Sequence, residues 1–139
     1  MQLTIHTDGG SLNNPGPAAC AYVISQSDKK IVEKKHFFLG KQTNNYAEYM
    51  GVKNALTSLL VLKKTIPFTS LFFVSDSLLM VNQLNGLYKV KNEAIRSFVF
   101  EIRSLEQQLN VPISYKHVLR EYNQEADALV KECLDPHHS

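Results

Sequence analysis

The sequence contains no tryptophan and only two cysteines, Cys20 and Cys133, among its 139 residues. Both cysteines lie in apolar surroundings, and no CxxC or Cys/His spacing argues for a structural zinc site. They are typical of core residues in a reducing compartment. No apolar run approaches the ~18 residues of a membrane helix, and the N-terminus has no apolar signal core. We therefore expect a cytoplasmic protein with no membrane partner.

Internal repeats, low-complexity segments and a strong excess of one charge are also absent. The net charge of +2 and the pI near 8.5 permit a polyanionic partner without requiring one. A chain of 139 residues with 44% hydrophobic residues can bury a continuous core without disulfide bonds or structural metal ions. We expect a single domain over residues 1–139, in which about 135–139 form a frayed tail.

Hydrophobic periodicity predicts the element order βββ-α-β-α-α-β-α. Alternation and short apolar runs predict the strands, and a period of 3.6 predicts the helices. The strands are expected at 2–7, 18–25, 31–39, 70–75 and 111–119, and the helices at 44–63, 79–84, 93–109 and 123–134. The expected fold class is α/β: a five-stranded mixed sheet of three antiparallel strands followed by two further strands, with helices on both faces.

Four acidic residues fall where elements begin or end. Asp8 ends the first strand, directly before a dense cluster of turn-forming residues at 9–17. Glu48 lies in the first turn of the first helix, on its apolar stripe. Asp76 follows a strand that is apolar throughout, which is the usual place for ligand sites in α/β sheets. Asp127 lies in the early turns of the last helix. Such positions can converge at one edge of a sheet.

Each acid also has a structural explanation. Asp8 could simply open a turn, as Asp-Gly pairs often do. Glu48 could favour the dipole of its helix, and Asp76 could cap the helix that follows it. Against this, an ionised Glu48 on a face that packs against the sheet is costly unless it is paired or binds a cation.

Four segments match a known family in order and spacing: TDGGS with NPGPA at 7–11 and 14–18, TNNYAE at 43–48, SDS with VNQLNG at 75–77 and 81–86, and REYNQEADAL at 120–129. This set resembles type 1 ribonuclease H, in a short form that lacks the basic protrusion. The resemblance spans nearly the whole chain. It implies the RNase H-like fold and the activity of a metal-dependent endonuclease.

The resemblance implies that Asp8, Glu48, Asp76 and Asp127 bind two Mg²⁺ (or Mn²⁺) ions and carry out catalysis. Hard divalent cations prefer carboxylate oxygens, and two ions can clamp both sides of an in-line phosphodiester displacement. Without metal, such a cluster should have raised pKa values because like charges repel. The implied reaction cuts the RNA strand of an RNA–DNA hybrid and leaves 5′-phosphate and 3′-hydroxyl ends.

Four amide side chains match substrate-binding positions of that family: Asn14, Asn44, Asn45 and Gln83. Amides both donate and accept hydrogen bonds, as contact with a 2′-hydroxyl requires. Turn and helix-cap roles remain an alternative for the asparagines. The implied partner is the RNA–DNA hybrid duplex, with weak action on double-stranded RNA conceivable, and we expect a monomer.

Two features depart from familiar family members. Residues 86–92 are too short for the tryptophan-rich protrusion, so Lys89, Lys91 and Arg96 are candidates for part of its grip on the duplex. His117 stands ten residues before Asp127, the spacing of an auxiliary catalytic histidine. Its neighbours predict a strand rather than a loop, however, so Arg120 is a second candidate for a catalytic role near the scissile phosphate.

The alternative from another functional class is a catalytically weak or silent hybrid-binding module. Loss of an acid would favour it, and all four acids are present. A detached reverse-transcriptase domain is disfavoured, because the chain is expected to begin and end with the domain itself. Transposases, integrases and junction resolvases share the fold class, but their motifs fit less well.

Overall fold

The computed structural model describes the backbone of residues 1–138 and the side chains of residues 1–135. Its strands are β1 (Gln2–Ser11), β2 (Gly16–Ser25), β3 (Ile31–Gln42), β4 (Ser70–Ser75) and β5 (Ile113–His117). Its helices are α1 (Asn44–Leu62), α2 (Leu78–Leu84), α3 (Glu93–Leu109) and α4 (Gln124–His138), and a short 3-10 helix spans Arg120–Tyr122. None of the helices in this described part has the length and apolarity needed to cross a membrane.

The five strands form one mixed sheet in the order β3-β2-β1-β4-β5. The first three strands pair antiparallel as a meander, and β4 and β5 are parallel to β1. β1 therefore lies at the centre, between the two halves of the sheet. This arrangement confirms the predicted fold class.

The two faces of the sheet are covered by different helices. On one face, α1 packs on β1 and β2, and α3 packs against α1. The main apolar core lies there and includes Leu3, Ile5 and Leu56, all fully buried. On the opposite face, α4 packs on β2 through a smaller cluster: Ala19, Ala21, Val130, Cys133 and Leu134. Both cysteines are buried and unbonded to each other, as their apolar surroundings predicted.

Helix caps explain where the predicted helices begin. The side chains of Thr43, Ser77 and Asn92 accept hydrogen bonds from backbone N–H groups in the first turns of α1, α2 and α3. Asn110, in the left-handed conformation with φ of 52°, ends α3 at the predicted position. The predicted bounds of β4 and α3 are confirmed.

Other predicted bounds were wrong. β1 continues past Asp8 to Ser11, because Gly9 and Gly10 pair with Cys20 and Ala19 and leave only residues 12–15 for the turn. β3 runs on to Gln42 instead of ending before Gly40, since the register shift between Ala18 and Ala19 leaves only Leu39 unpaired and the pairing resumes at Gly40 with Ala18.

At the other end of the chain, β5 is shorter than predicted, covering Ile113–His117, and the short 3-10 helix after it was not predicted. Residues 135–138, predicted as part of a frayed tail, continue the backbone of α4. The final residue of that predicted tail, Ser139, lies outside the described residues.

Gly9 allows α1 to lie directly on β1. A Cβ atom at Gly9 would be 2.3 Å from the backbone carbon of Ala47 and 2.5 Å from the backbone nitrogen of Glu48. One turn further along α1, a Cβ at Gly51 would be 3.1 Å from the backbone oxygen of Asp8. The backbones of strand and helix therefore touch beside Asp8, which brings Glu48 next to it.

We predict that Gly9→Ala destabilises the protein by about 1–3 kcal/mol or more, because the added methyl group meets backbone atoms that cannot rotate away. Gly10→Ala is the matched control, since a Cβ there would meet only the side-chain oxygen of Asn44 at 3.8 Å. Chemical denaturation of both variants measures the difference. Equal midpoints for the two would contradict the close packing of α1 on β1.

Candidate active site

The strand register brings the first two acids together. β1 and β4 pair at a constant offset from Gln2 with Ser70 to His6 with Val74. Continuing this offset by two residues sets Asp8 opposite Asp76. Neighbouring strands are ~4.8 Å apart, so the two carboxylates start from adjacent backbone positions.

The other two acids come from the helices on the two faces. Glu48 lies just after the first turn of α1 and not within it as predicted, because α1 begins at Asn44. At this point α1 packs directly on β1 at Gly9. Asp127 lies in the first turn of α4, where its backbone N–H donates to the carbonyl oxygen of Asn123 at 3.1 Å. The central sheet, α1 and α4 thus each contribute at least one of the four acids.

The pKa of Asp8 is raised by all three of the other acids. Its side chain is largely buried, and burial is the main reason why its pKa is raised from 3.8 to about 8. The negative charges of Asp76, Asp127 and Glu48 raise it further, while a hydrogen bond from the backbone of Gly9 lowers it. Asp76, Asp127 and Glu48 therefore lie near enough to Asp8 for their charges to raise its pKa.

Glu48 is perturbed in the same direction. Burial raises its pKa from 4.5 to about 7, and the charge of Asp76 adds to the rise. The hydroxyl group of Ser77 and the guanidinium group of Arg120 oppose the rise. Because the first turn of α1 contains no acidic residue, the helix-dipole explanation for Glu48 is wrong.

Ser77, and not Asp76, caps α2. The hydroxyl oxygen of Ser77 accepts the backbone N–H of Met80 at 3.3 Å. The capping explanation for Asp76 is therefore wrong. Likewise, Asp8 does not open a turn, because it lies within β1, paired with Ala21 on β2.

Two exposed cations contact the acids. Nε of Arg120 is 3.3 Å from Oδ2 of Asp76, and the arginine side chain is 78% exposed. The charges of Asp76, Asp127 and Asp8 raise the pKa of Arg120. Nζ of Lys131 is 2.9 Å from Oδ2 of Asp127, one helical turn away. Exposed ion pairs of this kind are weak, so either cation can exchange for a stronger partner.

The chemistry of the four acids fits hard divalent cations, which prefer carboxylate oxygens. Within residues 1–135, no group of three or more His, Cys, Asp or Glu side chains is already arranged to hold a metal ion. In the structure, Asp76 is paired with Arg120 and Asp127 with Lys131. A cation bound there would compete with Arg120 for Asp76 and with Lys131 for Asp127.

Asn14 and Asn44 connect the turn before β2 to the start of α1. Oδ1 of Asn14 accepts the backbone N–H of Asn44 at 2.9 Å, and Oδ1 of Asn44 accepts the backbone N–H of Ser11 at 2.7 Å. Each amide oxygen thus serves in a turn or a cap, as the structural alternative predicted. The NH₂ group of each side chain donates no hydrogen bond to the described residues.

Asn45 and Gln83 differ in their surroundings. Both are half-buried, and Asn45 has no side-chain hydrogen bond within the described part of the chain. The amide oxygen of Gln83 accepts the hydroxyl of Tyr49 at 2.6 Å. Since Tyr49 is fully buried, this bond fixes the orientation of the Gln83 amide.

His117 is the last residue of β5 and pairs with Ser75, the residue before Asp76. Its place in a strand confirms the prediction from its neighbours. It lies at the same edge of the sheet as Asp76, but the contacts with the acids come from Arg120 instead. Arg120 is thus the better supported of the two candidates for an auxiliary role.

The three basic residues that are candidates for contact with the duplex are on the surface. Lys89, Lys91 and Arg96 are exposed, beside two exposed apolar side chains, Leu87 and Tyr88. Nε of Arg96 donates to the backbone oxygen of Val90 at 2.8 Å, which ties α3 to the segment before it.

Sequence reasoning missed two residues beside the acids. Lys131 stands four residues after Asp127, and the i, i+4 rule for helices could have identified this pair. Asn123 was seen only as part of a motif, whereas it is buried and bonded to the backbone of β1. No local pattern indicates a bond between residues so far apart in sequence.

Comparisons with known proteins agree on one family. Residues 6–133 match the family described as "Reverse transcriptase-like". The structure is similar to that of LC11-RNase H1 in complex with an RNA/DNA hybrid, with a TM-score of 0.93, 31% identity and 99% of each chain covered. It is also similar to RNase H1 of Halobacterium salinarum, with a TM-score of 0.89, 32% identity, and 98% of this chain and 99% of the other covered.

A bifunctional protein of Mycobacterium tuberculosis is 34% identical over 137 residues, which cover 97% of this chain and 36% of the relative. The chain therefore spans about a third of the length of its mycobacterial relatives. The Halobacterium ribonuclease HI, at 35% identity, is covered over 62% of its length.

The raised pKa of Asp8 predicts how stability depends on pH without metal. The pKa of Asp8 is about 8 in the folded state and about 3.8 in the unfolded state. Between these two pH values Asp8 keeps its proton in the folded protein and loses it on unfolding. The free energy of unfolding therefore falls as the pH rises through this range. Asp8→Asn removes this loss. We therefore compare the variant with the wild type at each pH. The difference in free energy of unfolding should favour the variant by about 1–3 kcal/mol more at pH 8 than at pH 4.

Thermal unfolding in EDTA at both pH values measures this effect. Asp28→Asn is the control, because Asp28 is exposed in the turn between β2 and β3. An Asp8→Asn effect that is the same at both pH values would show that the pKa of Asp8 is not raised in the folded state.

Proposed function

Because this chain belongs to the type 1 ribonuclease H family, we propose that it is an endoribonuclease that cuts the RNA strand of RNA–DNA hybrids. The observation that best supports this function is the raised pKa of Asp8, to which Asp76, Asp127 and Glu48 all contribute. Four carboxylates brought together against their repulsion are unfavourable for folding alone. They suit a pocket whose ligands are cations.

We propose that Asp8, Glu48, Asp76 and Asp127 hold two Mg²⁺ or Mn²⁺ ions. When bound, such ions supply Lewis-acid chemistry on both sides of an in-line displacement at phosphorus. The products would carry 5′-phosphate and 3′-hydroxyl ends. The central strands hold Asp8 and Asp76 on a rigid base, and α1 and α4 bring Glu48 and Asp127 to it.

Arg120 is suited to contact the scissile phosphate. Its side chain is exposed, and it is attracted to the acidic pocket through Asp76. A guanidinium group can bind two phosphate oxygens at once, and this orients the phosphate as well as neutralising it. In exchanging Asp76 for the phosphate, Arg120 would free that carboxylate for a cation.

The proposed recognition of the hybrid uses amides and lysines. Asn14, Asn44 and Gln83 each use the amide oxygen within the protein, which leaves NH₂ groups as donors for sugar oxygens or phosphates. The unbonded Asn45 can both donate and accept, as a 2′-hydroxyl requires. Lys89 and Lys91 lie on the exposed segment before α3 and would contact phosphates of the duplex.

The other expectations stay predictions. They are a single domain over residues 1–139, a monomer, a cytoplasmic location, a catalytic role for His117 and weak action on double-stranded RNA. A catalytically weak or silent hybrid-binding module is the alternative to the enzyme, and the first experiment below separates the two.

We predict that the pure protein cleaves only the RNA strand of a labelled hybrid, and only with Mg²⁺ or Mn²⁺. Duplex DNA, duplex RNA and EDTA reactions are run beside it, with Asp76→Asn as the inactive control. That substitution should abolish turnover but keep the fold, since it removes one of several repelling charges. Binding of the hybrid without cleavage would support the silent module, and near-normal activity of Asp76→Asn would contradict the assignment of the acids.

Two arginine variants should give opposite kinetic results. Arg120→Ala should lower kcat about 10–100-fold with little change in KM, because its proposed contact acts on the reacting phosphate. Arg96→Ala should raise KM and leave kcat nearly unchanged, since Arg96 lies on the proposed gripping surface. Steady-state kinetics on one hybrid measures both. An unchanged kcat for Arg120→Ala would reduce Arg120 to a surface residue.

A further inference from the structure

The buried side chain of Asn123 joins two elements that carry acids. Asn123 is 1% exposed, and its Nδ2 donates to the backbone oxygen of Thr7 at 2.9 Å. Its own backbone oxygen accepts the N–H of Asp127 at 3.1 Å. One residue thus connects the position before Asp8 in β1 to the first turn of α4.

We propose that Asn123 is a positioning residue that fixes Asp127 relative to Asp8, an inference that rests on the proposed function of these acids. The apolar contacts that anchor α4 on β2 are made by Val130, Cys133 and Leu134, all beyond Asp127 along the helix. The buried methyl group of Ala126 packs near the start of α4 but cannot direct it. The directional contact at this end is the hydrogen bond of Asn123.

Two orphaned atoms support a role beyond stability. Oδ1 of Asn123 and Oγ1 of Thr7 are both buried and have no hydrogen-bond partner among the described residues. An atom left unpaired in this way loses its hydrogen bonds to water without replacing them. Apolar side chains would avoid that cost at both positions. Local costs of this kind are typical of functional sites, where geometry matters more than stability.

The effect of losing this bond follows from the geometry of the pocket. Without it, the first turn of α4 can shift relative to β1, and Asp127 moves with it while its chemistry is unchanged. Sites of this kind tolerate displacements of only about 0.5 Å. The loss should therefore appear in metal affinity and in kcat rather than in binding of the hybrid.

The test compares Asn123→Ser with Asn85→Ser. Asn85 makes the same kind of bond, from Nδ2 to the backbone oxygen of Tyr115 at 3.1 Å, between the end of α2 and β5. Serine is too short to reach either carbonyl oxygen. Both variants should lose stability, and Asn123→Ser should lose more, because Asn123 is buried and Asn85 is exposed. Two readouts then separate positioning from stability: steady-state kinetics on the hybrid, and the rise in Tm during a Mn²⁺ titration without substrate.

We expect Asn123→Ser to lower kcat about 10–100-fold and to shift the Mn²⁺ midpoint by about tenfold or more, as is common when groups that orient metal ligands are lost. Its KM for the hybrid should stay within about threefold of the wild type, and Asn85→Ser should change neither readout. If the two variants match in kcat and in Mn²⁺ midpoint, the inference is overturned.

Should Asn123→Ser not fold, Asn123→Gln, which keeps an uncharged amide but places it one methylene group further out, is compared with Asn85→Gln by the same readouts and judged by the same outcomes. A wild-type protein that neither cleaves the hybrid nor responds to Mn²⁺ would overturn the proposed function and this inference together. If the wild type is active but the Asn123 and Asn85 variants have the same kcat and Mn²⁺ midpoint, only this inference is overturned.

Discussion

The burial of carboxylates close to one another is the constraint on which this structure depends. Burial and three neighbouring acids raise the pKa of Asp8 to about 8, and Glu48 is raised to about 7. Such a cluster opposes folding, so the rest of the chain must hold it in place. Rigid central strands, two helices on opposite faces and two exposed cations all contribute to this.

The means by which the fold holds the acids are local and physical. Absence of a side chain at Gly9 lets α1 reach the backbone of β1, so that Glu48 comes close to Asp8. The buried amide of Asn123 ties the start of α4 to the same strand. Arg120 and Lys131 reduce the repulsion through ion pairs that are exposed and therefore exchangeable. The acids are thus held close while their partners can be replaced.

Much of this architecture could be predicted from the sequence, because the signals involved are local. Caps and turn residues mark the ends of α3 and β4, and apolar periodicity marks the buried stripe of α1. Strand pairing is not local, so the extension of β1 through Gly9 and Gly10 was missed. The alignment of Asp8 with Asp76 follows from the register between β1 and β4, and the bond between Asn123 and Thr7 spans 116 residues. Neither the register nor this bond can be recognised from the nearby sequence.

The central claim, that Asp8, Glu48, Asp76 and Asp127 together hold divalent cations, is tested most directly by anomalous diffraction from crystals grown with Mn²⁺ and an uncut hybrid. The account predicts two Mn²⁺ peaks roughly 3.5–4 Å apart, with oxygens of all four carboxylates among their ligands. Manganese bound elsewhere, or a pocket in which one of the four acids contacts neither ion, would contradict it.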